Sequence, residues 1–303
     1  MSNSAVTRIA PSSSPTPSFL SDVHHLQTGH ASLLPISSDN GRRVPRVTAA
    51  VDLSSLFSLD GRVAVVTGAS SGLGDRFARV LHAAGATVVV AARRKDRLDA
   101  LASELPGSTA IACDVSETID RERLIREVVE EHGTIDVLVN NAGIGHTVSI
   151  EDETLEVFRS AVEVNVTAIW HLSKLAGEVM VAKRRGSIVN IASMLGVVAS
   201  TPVKQAHYSA SKGAVINMSR ELACQWARKG VRVNALAPGW FPSEMTAGME
   251  SDESAIQFVK THCPMARMGE GHELDGALLL LASDAGSYIT GETLLVDGGW
   301  TAR

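Results

Sequence analysis

The sequence predicts one α/β domain built on a doubly wound parallel sheet, with helices covering both faces. Three observations carry that expectation. Short strand-like runs alternate with helix-patterned stretches along most of the chain. The first of those runs leads directly into a glycine-rich turn and a helix start. And 303 residues, 45% hydrophobic and 20% charged, are enough to bury one large core.

Arg62-Val-Ala-Val-Val-Thr67 reads as the first buried strand. Gly68-Ala-Ser70-Ser71-Gly72-Leu73-Gly74 follows at once, and Phe77, Ala78, Leu81 and Ala84 then recur at helical spacing. Strand, glycine turn and helix start together form a diphosphate cradle. Glycines let the backbone approach the phosphates, and the helix N-terminus offers free N–H groups and the positive end of its dipole. The spacing is Gly-x-x-x-Gly-x-Gly, unlike the Gly-x-Gly-x-x-Gly of the commoner dinucleotide domains. Further strand-like runs are Thr87–Ala91, Ser108–Ala112, Val137–Asn140, Ser187–Ile191, Val231–Ala235 and Thr293–Val296. Continuous apolar runs of this kind belong to sheets covered on both faces.

The stretch before this pattern differs. Ser, Pro and Thr dominate Met1–Phe19, acids are rare, and Arg8, Arg42, Arg43 and Arg46 leave it positive. It lacks the apolar core of a secretory signal. Residues 1–55 are read as a disordered or targeting leader, or a misassigned start, and 56–303 as the folded domain. The formal net charge of −5, with no basic stripe, argues against nucleic-acid binding. No apolar run approaches the roughly 20 residues of a membrane span. Cys113, Cys224 and Cys263 are scattered, lack metal-site spacing and suit a reducing cytoplasm; no metal is expected.

Tyr208-Ser-Ala-Ser-Lys212 carries the chemistry. On a helix, residues at i and i+4 share a face, so a phenol and an ammonium can act on one reacting atom. A free phenol has a pKa of about 10. A fixed cation beside it favours phenolate and brings that value toward neutrality. A surface helix with an incidental Tyr and Lys would show the same local pattern, so the motif needs its partners.

Those partners are present. TGASSGLG at 67–74, Asp114-Val115, NNAG at 140–143, Asn165, Ser193, YSASK at 208–212 and Pro238-Gly239 occur in one order over about 56–303. The set resembles the short, single-domain branch of the short-chain dehydrogenase/reductase family, a Rossmann-like three-layer sandwich. The resemblance implies an NAD(P)(H)-dependent oxidoreductase that interconverts a carbonyl and a secondary alcohol by hydride transfer. It makes Tyr208 the general acid/base and Ser193 the hydrogen-bond donor to the substrate oxygen. Lys212 lowers the Tyr208 pKa and bonds the nicotinamide ribose. Asn165, inside the helical stretch Phe158–Leu175, holds a water through its side chain or backbone. Gly68, Ser70, Ser71, Gly72, Leu73 and Gly74 hold the diphosphate. Asp114 and Val115 meet the adenine, unless Asp114 merely enters a turn. Asn141, Ala142 and Gly143 pass close to the nicotinamide ribose, and Asn140 ties neighbouring strands. Pro238-Gly239 turns beneath the nicotinamide, and Ser243 offers a hydroxyl to the cofactor, where Thr is commoner.

Cofactor choice turns on the end of the second strand, where a carboxylate would bond the adenine ribose hydroxyls and repel a 2′-phosphate. Ala92 stands at that position by the resemblance, and Arg93 stands where phosphate is favoured. NADPH is expected, with NAD as the other option. Ser71 is neutral where some phosphate-preferring relatives carry a second base. The stretch from Trp240 to about His262 is expected to form a lid, with Trp240, Phe241, Met245 and Met249 as an adaptable wall. His146 and His207 read as ordinary loop residues. The resemblance is greatest to 3-oxoacyl-thioester reductases and related alcohol dehydrogenases. It implies a 3-oxoacyl thioester or ketone as the small-molecule substrate. It also implies a homotetramer or homodimer through helices around Val157–Val181 and Gly213–Ala227. A sugar, polyol or alcohol dehydrogenase using NAD is the alternative, and a catalytically silent nucleotide sensor a third reading.

Overall fold

Valine-rich runs with nothing polar to offer solvent form the centre of the structure, a computed structural model that describes residues 52–249 and 252–302. All but the last four residues of the expected leader lie outside them. Asp52 caps a short helix, α1 (Leu53–Phe57), its carboxylate accepting from the amides of Ser54 and Ser55.

The strands are β1 (Val63–Thr67), β2 (Thr87–Ala92), β3 (Thr109–Ala112), β4 (Val137–Asn140), β5 (Gly186–Ile191), β6 (Val231–Pro238) and β7 (Thr293–Val296). They form one seven-stranded sheet in the order β3-β2-β1-β4-β5-β6-β7, with every pairing parallel. Each expected strand is present. The helices are α2 (Gly72–Ala83), α3 (Lys95–Glu104), α4 (Thr118–His132), α5 (Leu155–Val162), α6 (Ala168–Lys183), α7 (Ala206–Trp226), α8 (Glu253–His262) and α9 (Asp275–Ala282).

The period-2 alternation of the strands sorts their side chains into two cores. Val66, Val88, Val90 and Val139 pack with Phe77 and Leu81 of α2, Leu98 of α3 and Leu278 of α9. Val65, Val89, Leu138 and Ile188 pack on the other face with Leu124 of α4, Leu172 and Met180 of α6, and Leu222 of α7. Strand order reverses between β1 and β4, so a crevice opens at the carboxyl ends of these two strands.

Some of the polar residues in this core are linked into one network. Asn140 Nδ2 donates to Asn190 Oδ1 at 2.8 Å and to Ser173 Oγ at 3.0 Å, and Asn190 Nδ2 donates to Ser219 Oγ at 2.9 Å. Asn140 thus ties β4 to its register partner on β5, and both to α6 and α7. The helix expected to run unbroken over Phe158–Leu175 does not. A π turn at Glu163–Thr167 separates α5 from α6, with Asn165 buried inside it. An inserted π turn frees main-chain groups that a straight helix would pair.

Asn190→Ala should cost on the order of 1–3 kcal/mol, because it strands buried partners on β4 and α7. Urea denaturation against wild type measures it, and an unchanged midpoint would remove the network from the account of stability.

Candidate active site

The end of β1 meets the end of β4 with no room to spare. A Cβ on Gly68 (φ +67°) would lie 2.8 Å from Ala142 Cα, and one on Gly74 would collide with the Gly68 carbonyl oxygen. Asn141 Nδ2 donates to Thr67 O at 2.9 Å, and Thr67 Oγ1 accepts from the amides of Asn141 (3.1 Å) and Ala142 (3.2 Å). These bonds pin the glycine turn to the 141–143 segment. The sequence reading did not single out Thr67, whose hydroxyl does as much here as any glycine. Ser71 precedes α2 in extended backbone without a side-chain cap bond, which leaves the first-turn amides of the helix for an anion.

A cleft of about 430 Å³ runs from this turn across the sheet edge. Ser70, Ser71, Gly72, Leu73, Arg93, Val115, Gly143, Pro238 and Ser243 line it, as do Gly68, Asp114, Asn141 and Ala142. Ser193, Tyr208, Lys212 and Gly239 lie on its far reaches. Two expected site residues stand behind the wall instead. Gly74 is buried within α2, where it permits close approach, and Asn165 is buried in the π turn. Asp114 Oδ1 accepts from the Ser116 amide at 2.9 Å and the Ser116 hydroxyl at 2.7 Å, so it does shape a turn while lining the cleft.

Ser193 follows β5 and its Oγ accepts from the Leu195 amide at 3.1 Å, leaving the hydroxyl hydrogen for a bond with Tyr208. Lys212 lies one turn along α7 from Tyr208. Its Nζ donates to the Ile191 carbonyl at 2.7 Å and sits 5.6 Å from the Tyr208 ring centre. Burial brings the Lys212 ammonium down to about 8. Burial also pushes the Tyr208 phenol up, with the Ser193 hydrogen bond opposing. The lowering of Tyr208 expected from Lys212 is therefore not seen: desolvation of the phenol is the larger effect, with the Ser193 hydrogen bond against it.

Asn165 Oδ1 accepts from the Ile144 amide and its Nδ2 donates to the Ile144 carbonyl, each at 2.8 Å, with a further bond to Ser211 Oγ at 3.0 Å. Its side chain is spent on framing the 143–145 segment. A Cβ on Gly143 would lie 3.3 Å from Asn165 Oδ1 and 3.5 Å from Lys212 Nζ, which places the three residues together.

Other contacts were not foreseen. Arg94 Nη2 donates to Ser71 Oγ (2.8 Å) and Ser70 Oγ (2.9 Å), and it also pairs with Glu244. The doubled arginine after β2 is the sequence signal for it, where the resemblance points to Arg93 alone. His207 lies in the first turn of α7, fully buried, with Nδ1 on the Glu153 carboxylate and Nε2 accepting from the His146 amide at 3.2 Å. It is a framework residue behind Tyr208 and not the loop residue expected. Nothing in the sequence joined it to Glu153.

A family model described as enoyl-(acyl carrier protein) reductase matches residues 68–301. The chain is 40% identical over 253 residues to a galactitol 2-dehydrogenase (L-tagatose-forming) of Cereibacter sphaeroides, covering 83% of this chain and 99% of that one. It is 34% identical over 245 residues to a 3-oxoacyl-[acyl-carrier-protein] reductase of Thermotoga maritima, covering 80% and 98%. Among solved structures, a gluconate 5-dehydrogenase from Burkholderia cenocepacia J2315, in complex with NADP and tartrate, matches with TM-score 0.79 at 32% identity. That match covers 83% of this chain and 100% of the other.

The depressed Lys212 value has a stability consequence with a definite sign. Between about pH 8 and about 10.5 the unfolded chain holds the lysine proton and the folded chain has released it. Stability then rises with pH through this group. The rise should be on the order of 2 kcal/mol and absent in Lys212→Met. Urea midpoints at pH 8 and just below 10, where Tyr208 does not yet oppose it, make the comparison; parallel slopes in the two proteins would refute it.

Proposed function

The chain belongs to the short-chain dehydrogenase/reductase family, and from that premise we propose that it reduces a ketone to a secondary alcohol with NADPH, Tyr208 delivering the proton. One observation carries the reading: Ser193, Tyr208 and Lys212 stand at one cleft with the glycine turn that opens α2.

The residues fit such a cofactor. The turn at 68–74 and the open first turn of α2 suit a diphosphate. The 141–143 segment and Pro238-Gly239 flank the reacting end, Asp114 and Val115 the adenine, and Ser243 the lid side. Bound NADPH supplies the hydride that the carbonyl carbon accepts. Ser193 donates to the carbonyl oxygen and holds it beside Tyr208, whose phenolic proton passes to that oxygen as charge develops. Lys212 steadies the resulting phenolate and faces the ribose hydroxyls. With the Asn165 side chain occupied, its main chain in the π turn is the part that holds the relay water.

NADPH is favoured over NADH by Ala92, which offers no carboxylate to a 2′-phosphate, and by Arg93 and Arg94 at the cleft. Related structures carry NADP. Among the described residues lining the cleft, the basic ones are Arg93, Arg94 and Lys212, all assigned to the cofactor. A sugar-acid carboxylate would find no clamp, so a neutral ketone or a 3-oxoacyl thioester is the substrate class. The galactitol-oxidising relative favours a second reading, polyol oxidation with NAD. Exposed Phe158 on α5 and Trp170 on α6 mark the face through which we expect a homodimer or homotetramer. The catalytic domain is the stretch 56–303, and its free cysteines suit the cytoplasm.

Tyr208→Phe should lower kcat roughly 10²–10⁴-fold while NADPH binding, followed by its fluorescence, is retained. Unchanged turnover would end the assignment. Turnover of 3-oxoacyl thioesters, neutral ketones, ketoses and polyols with each cofactor should be greatest for a ketone with NADPH. Activity confined to NAD and polyols would establish the second reading.

A further inference from the structure

Segment 240–249 crosses the mouth of the cleft and carries an acid where the cofactor reading calls for a base. Glu244 Oε1 accepts from Arg94 Nη1 at 2.8 Å and from Arg97 Nη1 at 2.7 Å, and its Oε2 accepts from Arg94 Nη2 at 2.9 Å. The Ser71 hydroxyl adds a further hydrogen bond to the same carboxylate. A two-pronged guanidinium, a second arginine and a hydroxyl from the glycine turn make a donor set shaped for a phosphate. Here one protein carboxylate fills it. The same segment lies against the turn: a Cβ on Gly72 would be 3.5 Å from Ser243 Cβ, leaving space there for little more than a methyl group.

We propose that Glu244 is an internal stand-in for the 2′-phosphate of NADP(H), latching the 240–249 segment across the cofactor cleft until a phosphate-bearing nucleotide displaces it. The inference rests on the NADP(H) reading above. It assigns Arg94 the second basic contact that Ser71, being neutral, does not supply. Both phosphate and carboxylate need the same Arg94 fork, so the two compete. The latch is weak enough to yield, since Arg94, Arg97 and Glu244 all have 39–56% exposed side chains and their pairing is screened by water and salt. The next residue, Met245, lines the cleft, with its Sδ 3.4 Å from where a Gly145 Cβ would stand beside the Tyr208 ring. Releasing Glu244 therefore also moves a wall of the substrate end, which couples the nucleotide's phosphate to the shape of the substrate pocket.

The test uses full-length wild type, Glu244→Gln, Arg93→Ala and Arg94→Ala, with calorimetric binding of 2′,5′-ADP against ADP and fluorescence titration of NADPH against NADH. Glu244→Gln should tighten 2′,5′-ADP and NADPH about 3- to 10-fold, the worth of exposed ion pairs, and leave ADP and NADH within about two-fold. Hydrogen exchange across 243–249 should quicken in wild type on adding 2′,5′-ADP but not ADP, and be quick from the outset in Glu244→Gln. If Glu244→Gln leaves 2′,5′-ADP binding unchanged or weakens it, while Arg94→Ala abolishes the preference over ADP, the carboxylate merely supports Arg94 and the latch is overturned with the cofactor reading intact. If neither arginine variant alters that preference, the NADP(H) reading itself falls.

Discussion

One buried charge organises the site. The Lys212 ammonium lies wholly inside the protein, and an unpaired ammonium there would cost several kcal/mol. Its partner is the last carbonyl of β5, so α7 must cross the sheet where that strand ends. Gly196 makes the crossing possible, because a Cβ there would lie 2.7 Å from the Lys212 carbonyl carbon. The 143–145 segment is held against the same point by Asn165, and the π turn exists to aim that amide at both main-chain groups of Ile144. Strand end, glycine contact and helix defect all follow from seating one lysine. The value of about 8 shows that the seating is only partly compensated.

Sequence made the scaffold legible because its constraints are local. Buried strands of a parallel sheet show as apolar runs, and a turn with positive φ or backbone contact shows as glycine. The spacing of Gly68, Gly72 and Gly74, and of Tyr208 and Lys212, is fixed by bonds a few residues long, and the structure brings all but the buried Gly74 to one cleft. What stayed hidden depends on distant partners. Arg94 differs from Arg93 only in which way β2 delivers it onto Ser70 and Ser71, and Glu244 reaches it from 150 positions away. Glu153 and His207 form a buried pair that no spacing rule connects. The π turn was hidden for the same reason: no local pattern in Glu163–Thr167 marks one, and tertiary bonds to Ile144 and Ser211 decide its winding.

The frame behind Tyr208 is built from neutral and paired groups, and this matters for the reaction. His207 accepts the His146 amide through Nε2, which requires Nδ1 to carry the proton toward Glu153. Val148 adds a backbone bond to Lys204, so the 144–148 segment is strapped to the start of α7 at two points. A Cβ on Gly145 would sit 2.8 Å from the Tyr208 ring, and the strap thus presses a bare backbone against the phenol. Water is excluded from that flank, and the same exclusion raises the phenol's pKa.

Burial of Tyr208 and basicity at Arg93 and Arg94 are independent features that both bear on the proposed reduction with NADPH. A phenol pushed above its ordinary range is protonated at neutral pH, the form that gives a proton to a carbonyl oxygen. Oxidation would need the opposite state, a phenolate ready to accept. Lys212 Nζ lies 5.6 Å from the phenol ring centre, and burial has weakened that ammonium. The raised phenol suits the proton delivery proposed for Tyr208. Oxidative turnover would require bound ligands to bring the phenol down by completing the Lys212 side of the site. The cleft pairs this phenol with a basic mouth, where Arg94 and Arg97 hold the Glu244 carboxylate. The proposed reduction with a phosphate-bearing nicotinamide uses both properties, at opposite ends of one cleft.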